Sequence, residues 1–290
     1  MLFNSFDFIV FFNLLLLLLY LVKQNKGRKM LFLVASYIFY MWWNPAFILL
    51  IIFSTVVDYF LGQKICAATR KKPWLILSIV ANLGVLGFFK YFGFFEENLF
   101  LFMQWFGYEP SWVSLNIILP VGISFYTFQT MSYSIDIYRG NLKPSKSPLD
   151  FAVFVAFFPQ LVAGPIVRAS EFLPQLEEKQ KLDFSKLNML IILKGLFKKI
   201  IIADNLGSFV ESIYAQPEIY PSVIIWLAAI CFSIQIYCDF SGYTDIAIGV
   251  AAILGFKFPI NFNKPYFAIT PSDFWRRWHI TLSSWLRDYL

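Results

Sequence analysis

Phe6-Asp-Phe-Ile-Val-Phe-Phe-Asn-Leu-Leu-Leu-Leu-Leu-Leu-Tyr-Leu-Val22 is apolar apart from Asp7 and Asn13. A transmembrane helix needs about 20 apolar residues, with about 17–25 as the usual range, and this run qualifies. Lys23, Lys26, Arg28 and Lys29 follow it. No positive stretch precedes it and no small-residue cleavage site closes it, so it is not a removable signal peptide. Basic residues on its C-terminal side predict an N-terminus outside the cell.

The rest of the chain agrees with that start. Of 290 residues, 59% are hydrophobic and 14% charged, against about 45–50% and about 25% in soluble domains. Aromatic residues make up 20%, a composition suited to membrane interfaces and lipid-facing packing. The class that remains is all-α, a polytopic helical membrane protein forming one domain over 1–290, with about eight to ten membrane-embedded helices. The net charge of +6 does not point to nucleic acid, because the basic residues cluster in short loops beside apolar segments. Cys66, Cys231 and Cys238 form no C-x-x-C pair, and His279 is the only histidine. No metal site is expected.

Further spans are expected at Met30–Trp43 and Ala46–Leu61, a hairpin broken at Trp43-Asn44-Pro45, and at Pro73–Phe89. Phe94–Phe106 is too short to cross and reads as a separate interfacial element. Trp112–Tyr133 is long enough, with a kink at Pro120 and Gly122. Phe151–Val167 is interrupted by Pro159, Gly164 and Pro165. It reads either as a re-entrant cavity wall or as a kinked helix anchored by Arg168 at the interface. Leu187–Ala203 carries Lys194, Lys198 and Lys199, which suit lipid headgroups better than the phosphates of an acyl donor. Ser222–Phe240 and Tyr243–Phe256 read as two spans separated by Asp239-Phe240-Ser241-Gly242. Three basic loops, Lys23–Lys29, Lys64–Lys72 and Arg139–Lys146, fall on the cytoplasmic side if the N-terminus is outside and 94–106 does not cross.

No nucleotide-binding glycine loop, nucleophile elbow or zinc-protease motif is present. Candidate chemistry therefore rests on polar residues in apolar surroundings. Thr270-Pro-Ser-Asp273 reads as a helix start, with Thr270 as cap, Pro271 at the first position and Asp273 closing the turn. One helix continuing from there to Leu290 places Trp275, Trp278, Leu282, Trp285, Leu286 and Tyr289 on one stripe. Arg276, Arg277, Ser284 and Arg287 lie opposite. His279 falls at the border, beside Trp275 and Ser283. Partial burial and the neighbouring Arg276 both favour a neutral imidazole, which can take a proton from a hydroxyl. On spacing alone, a histidine bonded to backbone in an interfacial helix explains the pattern more simply. Asp239 and Asp245, with Ser241 between them, either line a hydrophilic substrate path or cap a helix break at Gly242.

Four stretches carry a resemblance over the whole chain: Ala35-Ser-Tyr-Ile-Phe-Tyr-Met-Trp-Trp43, Leu119-Pro-Val-Gly-Ile-Ser-Phe-Tyr126, Phe157-Phe-Pro-Gln-Leu-Val-Ala-Gly-Pro165 and Asp239 through Leu290. The sequence resembles the membrane-bound O-acyltransferase family, in the branch of alginate O-acetylation, peptidoglycan O-acetylation and teichoic-acid D-alanylation membrane proteins. The resemblance implies a ring of helices around a central funnel in the bacterial inner membrane. It implies acetyl-CoA or a similar acyl donor as a cytoplasmic substrate, with no bound cofactor. An extracytoplasmic acetyltransferase partner protein and a polysaccharide acceptor are implied in the same way. His279 matches the first of two functionally important histidines, which reverses the bland reading of that residue. The second histidine, the principal catalytic residue by this resemblance with His279 supporting it, is expected in a Trp-His-Gly-like helix beyond Leu290, so the chain is expected to be incomplete at its C-terminus and inactive alone. The competing classes are a transporter or flippase without acyl chemistry, and a scaffold. Neither needs a neutral base at position 279.

Overall fold

The computed structural model describes residues 1–108 and 117–290. All regular structure among them is helical. Three helical stretches, Pro45–Ala67, Lys72–Trp105 and Ser222–Ile253, are long and apolar enough to cross a membrane.

Helix α1 (Phe6–Leu21) is capped by Ser5, whose hydroxyl accepts from the Phe8 amide, and α2 covers Asn25–Met41. The break predicted at Trp43-Asn44-Pro45 is present. Asn44 accepts from the Ala46 amide, and Pro45 opens a short 3₁₀ turn leading into α3 (Ile48–Ala67). α4 (Lys72–Trp105) departs from the expectation of a span plus a separate interfacial piece. It is a single helix of 34 residues, about 51 Å long at 1.5 Å per residue. After Pro73 no proline interrupts it, and Gly93 alone is too weak a breaker to end a helix with apolar residues on both sides.

α5 (Ile123–Arg139) begins where a kink was predicted. Gly122 adopts φ 77° and starts the helix instead of bending it. A Cβ there would also collide with the Leu161 carbonyl. Residues 112–116 of the predicted 112–133 span lie outside the described residues. The apolar segment after it is broken as expected, into α6 (Pro148–Ala156) and α7 (Phe158–Leu161). Its irregular backbone is buried and bonded by neighbours. The Phe158 amide donates to Ser36, the Ile166 amide to Thr281, and Thr244 to the Ala163 carbonyl. Such backbone is tolerated at membrane depth only inside protein. Arg168 pairs with Asp288.

After α8 (Ala169–Glu177) comes α9 (Lys186–Leu196), a π-helical turn at Phe197–Ala203, then α10 (Asp204–Tyr214). These pack along α11 (Ser222–Ile253). α11 overturns the reading of two spans with a break at Gly242. Gly242 sits against the Gly195 carbonyl and the Lys199 amide, so the absent side chain admits a neighbouring backbone and the helix continues.

A polar network that the sequence reading missed joins three helices. Asp58 on α3 is fully buried. It accepts from Ser78 at 2.6 Å and Asn82 at 2.7 Å, both on α4. Ser134 on α5 contributes at 3.4 Å, and Thr130 donates to Asn82 at 2.9 Å.

The basic loops meet at one end of the bundle. Lys29 pairs with Asp150 at 2.8 Å, Gln63 donates to the Ser145 carbonyl at 2.6 Å, and Tyr59 donates to the Lys146 carbonyl. The C-terminal end of α11 is there too, since Phe256 packs on Phe32, Phe157 and Phe172.

Candidate active site

From that basic end the chain turns back inward. Gln175 holds Lys257 through both backbone groups, and the buried Asn261 lies four residues farther on. Two short helices close the chain, α12 (Pro271–Arg277) and α13 (Ile280–Tyr289). The predicted cap is present. Thr270 accepts from the Asp273 amide, and Asp273 accepts from the Ile269 amide and the Arg277 guanidinium.

The single helix through His279 is not present. Trp278 is extended, and His279 takes a left-handed conformation at φ 42°. The reason is tertiary. The Asn263 amide donates to the Arg277 carbonyl and the Ile280 amide to the Asn261 carbonyl, each at 2.9 Å. These bonds take backbone groups that helix continuation would use. The conformation costs a non-glycine residue about 1–3 kcal/mol, and such strain clusters at functional sites. The break also dissolves the predicted stripe. Trp275, Arg276 and Leu286 are exposed, whereas Trp285 is buried and donates to the Phe128 carbonyl at 3.0 Å. Trp278 joins an aromatic group with Phe262, Tyr266 and Phe274. Ser283 remains next to His279 through its amide, which donates to the His279 carbonyl.

The imidazole is 9% exposed. Phe240 of α11 meets it edge-on with centroids 4.8 Å apart. Phe125 of α5 stacks near it at 6.2 Å, and Phe262 lies at 6.4 Å. Its Nδ1 is 3.1 Å from Asn261 Oδ1. Phe125 lies fourteen residues before Arg139, and Phe240 thirteen before Ile253. At 1.5 Å per residue both helices place His279 about 20 Å from the basic end, well inside a hydrocarbon core of about 30 Å. The ring is buried among aromatic side chains. Arg276, expected beside the ring, is exposed.

Asp239 and Asp245 neither cap a break nor reach His279. Asp239 pairs with Lys199 at 2.5 Å, and Asp245 with Lys198 at 2.7 Å and Lys194 at 3.4 Å. The three lysines thus meet carboxylates of α11 and not solely lipid headgroups. Ser241 is buried on the same helix. Asn261 and Thr281 were not singled out in the sequence. The available signal was an asparagine in the otherwise apolar stretch Phe258–Phe262, two residues after Pro259. No cluster of three or more His, Cys, Asp or Glu suited to a metal ion is present among the described residues.

Comparison with known proteins gives a family match, described as the membrane-bound O-acyltransferase family, over residues 142–290. A probable alginate O-acetylase of Pseudomonas aeruginosa is 43% identical over 296 residues, covering all of this chain and 56% of the relative. A peptidoglycan O-acetyltransferase of Helicobacter pylori is 39% identical, covering all of this chain and 61% of the relative. A teichoic acid D-alanyltransferase of Bacillus subtilis is 34% identical over 63% of this chain and 47% of its own length. The chain therefore spans little more than half the length of the alginate and peptidoglycan relatives.

Proposed function

Because the chain belongs to the membrane-bound O-acyltransferase family, we propose that it serves acyl transfer across a bacterial cell membrane, passing an acetyl group from a cytoplasmic donor toward a cell-surface polysaccharide. The observation that carries this reading is the lone histidine, buried and walled by aromatic rings, about 20 Å from the basic end. In the proposed step Nε2 of His279 takes the proton of an attacking hydroxyl. The oxygen–acyl bond forms as the carbon–sulfur bond of a thioester donor such as acetyl-CoA breaks, and the proton passes to the leaving thiolate. Interactions that hold a base at the reacting oxygen contribute about 10²–10⁴ in rate. An extracytoplasmic acetyltransferase partner completes delivery to the glycan. Mass spectrometry of envelope glycans from cells with and without the gene tests the assignment. Loss of O-acetyl groups from one polymer is expected; an identical acetylation pattern defeats it.

The orientation belongs to the same proposal: basic end in the cytoplasm, N-terminus outside. Lys26, Arg70 and Lys143 are exposed at that end. Single cysteines placed there, in a background lacking Cys66, Cys231 and Cys238, should resist membrane-impermeant thiol reagents in intact cells and react after permeabilisation. Labelling of any one in intact cells breaks the orientation.

A further inference from the structure

Asn261 Oδ1 stands at the meeting point of three groups. It is 3.2 Å from the Thr281 amide nitrogen, 2.9 Å from the Thr281 hydroxyl and 3.1 Å from His279 Nδ1. A backbone N–H can only donate, so the Asn261 atom facing it is the oxygen and the orientation of the amide is settled. The same oxygen faces Nδ1. A neutral imidazole carries one proton, and an acceptor at Nδ1 calls that proton there and leaves Nε2 bare. Asn261 is 1% exposed, and its Nδ2 has no hydrogen-bond partner among the described residues. An unmet buried donor is unfavourable; a smaller apolar side chain would avoid it, but would abandon the oxygen.

We propose that Asn261, held by Thr281, is the positioning residue that fixes His279 as the Nδ1–H tautomer and presents Nε2 as the proton acceptor. This deepens the acyl-transfer reading and rests on it for its purpose, although the tautomer itself does not depend on catalysis. Thr281 is placed in turn, since its hydroxyl accepts from the Ile166 amide in the buried broken segment. The site is thus tied to α13, to the Asn261 segment and to the chain following α7. The walls around the imidazole are Phe125, Phe240 and Phe262. The charged side chains on its own two helices are Arg276, Arg277 paired with Asp273, Arg287, and Asp288 paired with Arg168. None of them supplies an acceptor at Nδ1.

Nitrogen NMR of the ¹⁵N-histidine-labelled intact protein in lipid nanodiscs reads this ring, with the His279 signals assigned by their loss in His279→Ala. The expected spectrum at pH 7 has its proton on Nδ1 and a bare Nε2. Asn261→Asp keeps the acceptor and adds negative charge, so the same tautomer should persist while the titration midpoint rises above that of the parent. Asn261→Leu should give a mixture of tautomers. In cells its polymer acetylation should fall at least about tenfold, since losing the group that holds a catalytic imidazole in its tautomer costs up to about 10⁴ in a known triad. Restoration of activity by Asn261→Asp, with a shifted pH profile, marks positioning and not mere structure. A proton on Nε2 in the parent overturns the proposal. So does an Asn261→Asp spectrum whose midpoint does not move, which keeps the idea testable if the leucine variant fails to fold. The Nδ1–H tautomer with unchanged acetylation in both variants defeats the acyl-transfer role of His279 and leaves the tautomer assignment standing.

Discussion

Polymer acetylation falls at least about tenfold when His279 is replaced by alanine in the intact membrane protein, and by about a hundredfold or more if proton removal limits the rate. The substitution removes the base and leaves a gap between Phe125, Phe240 and Phe262 without disturbing a charge pair. Protein level in the membrane should therefore stay close to normal. Acetylation at parent level with normal expression removes His279 from the mechanism.

Asp58→Leu should destabilise the chain by about 3 kcal/mol. Hydrogen bonds between membrane helices average about 0.6 kcal/mol and reach about 1.7. Here one carboxylate receives Ser78, Asn82 and Ser134 with no water to replace it. The apolar substitute leaves these buried donors short of partners, at about 1–3 kcal/mol for each one left fully unmet. Ser78 and Ser134 are 2.9 Å apart and can satisfy each other in part, and Asn82 keeps the Ser78 carbonyl, so the loss stays below the simple sum. Unfolding of the purified chain in mixed micelles measures it. Asn82→Leu in the Asp58→Leu background should then cost less than alone, because both changes strike one network. Additive effects, or an Asp58→Leu loss under about 0.5 kcal/mol, would show the network to be incidental.

The sequence by itself determined the class. Long apolar runs with few charges cannot bury their surface in a soluble core, so composition alone sets a helical membrane protein. Local chemistry placed the Asn44-Pro45 break, the Thr270 cap and the discontinuity at Pro159, because each depends on the residue's own backbone preferences. It also supplied His279 as the candidate base. Tertiary structure decided what depends on partners distant in the chain. Glycine 242 could equally end a helix or admit another one, and only the Gly195 backbone lying against it selects the second. Periodicity ran one helix through His279, whereas the backbone of Asn261 and Asn263 claims the groups that would have continued it. Asp58 carries no local signal, since its donors stand 20, 24 and 76 residues away. Asn261 is silent for the same reason: an asparagine's choice of neighbour is not written in the residues beside it, and the proton on His279 follows from that choice.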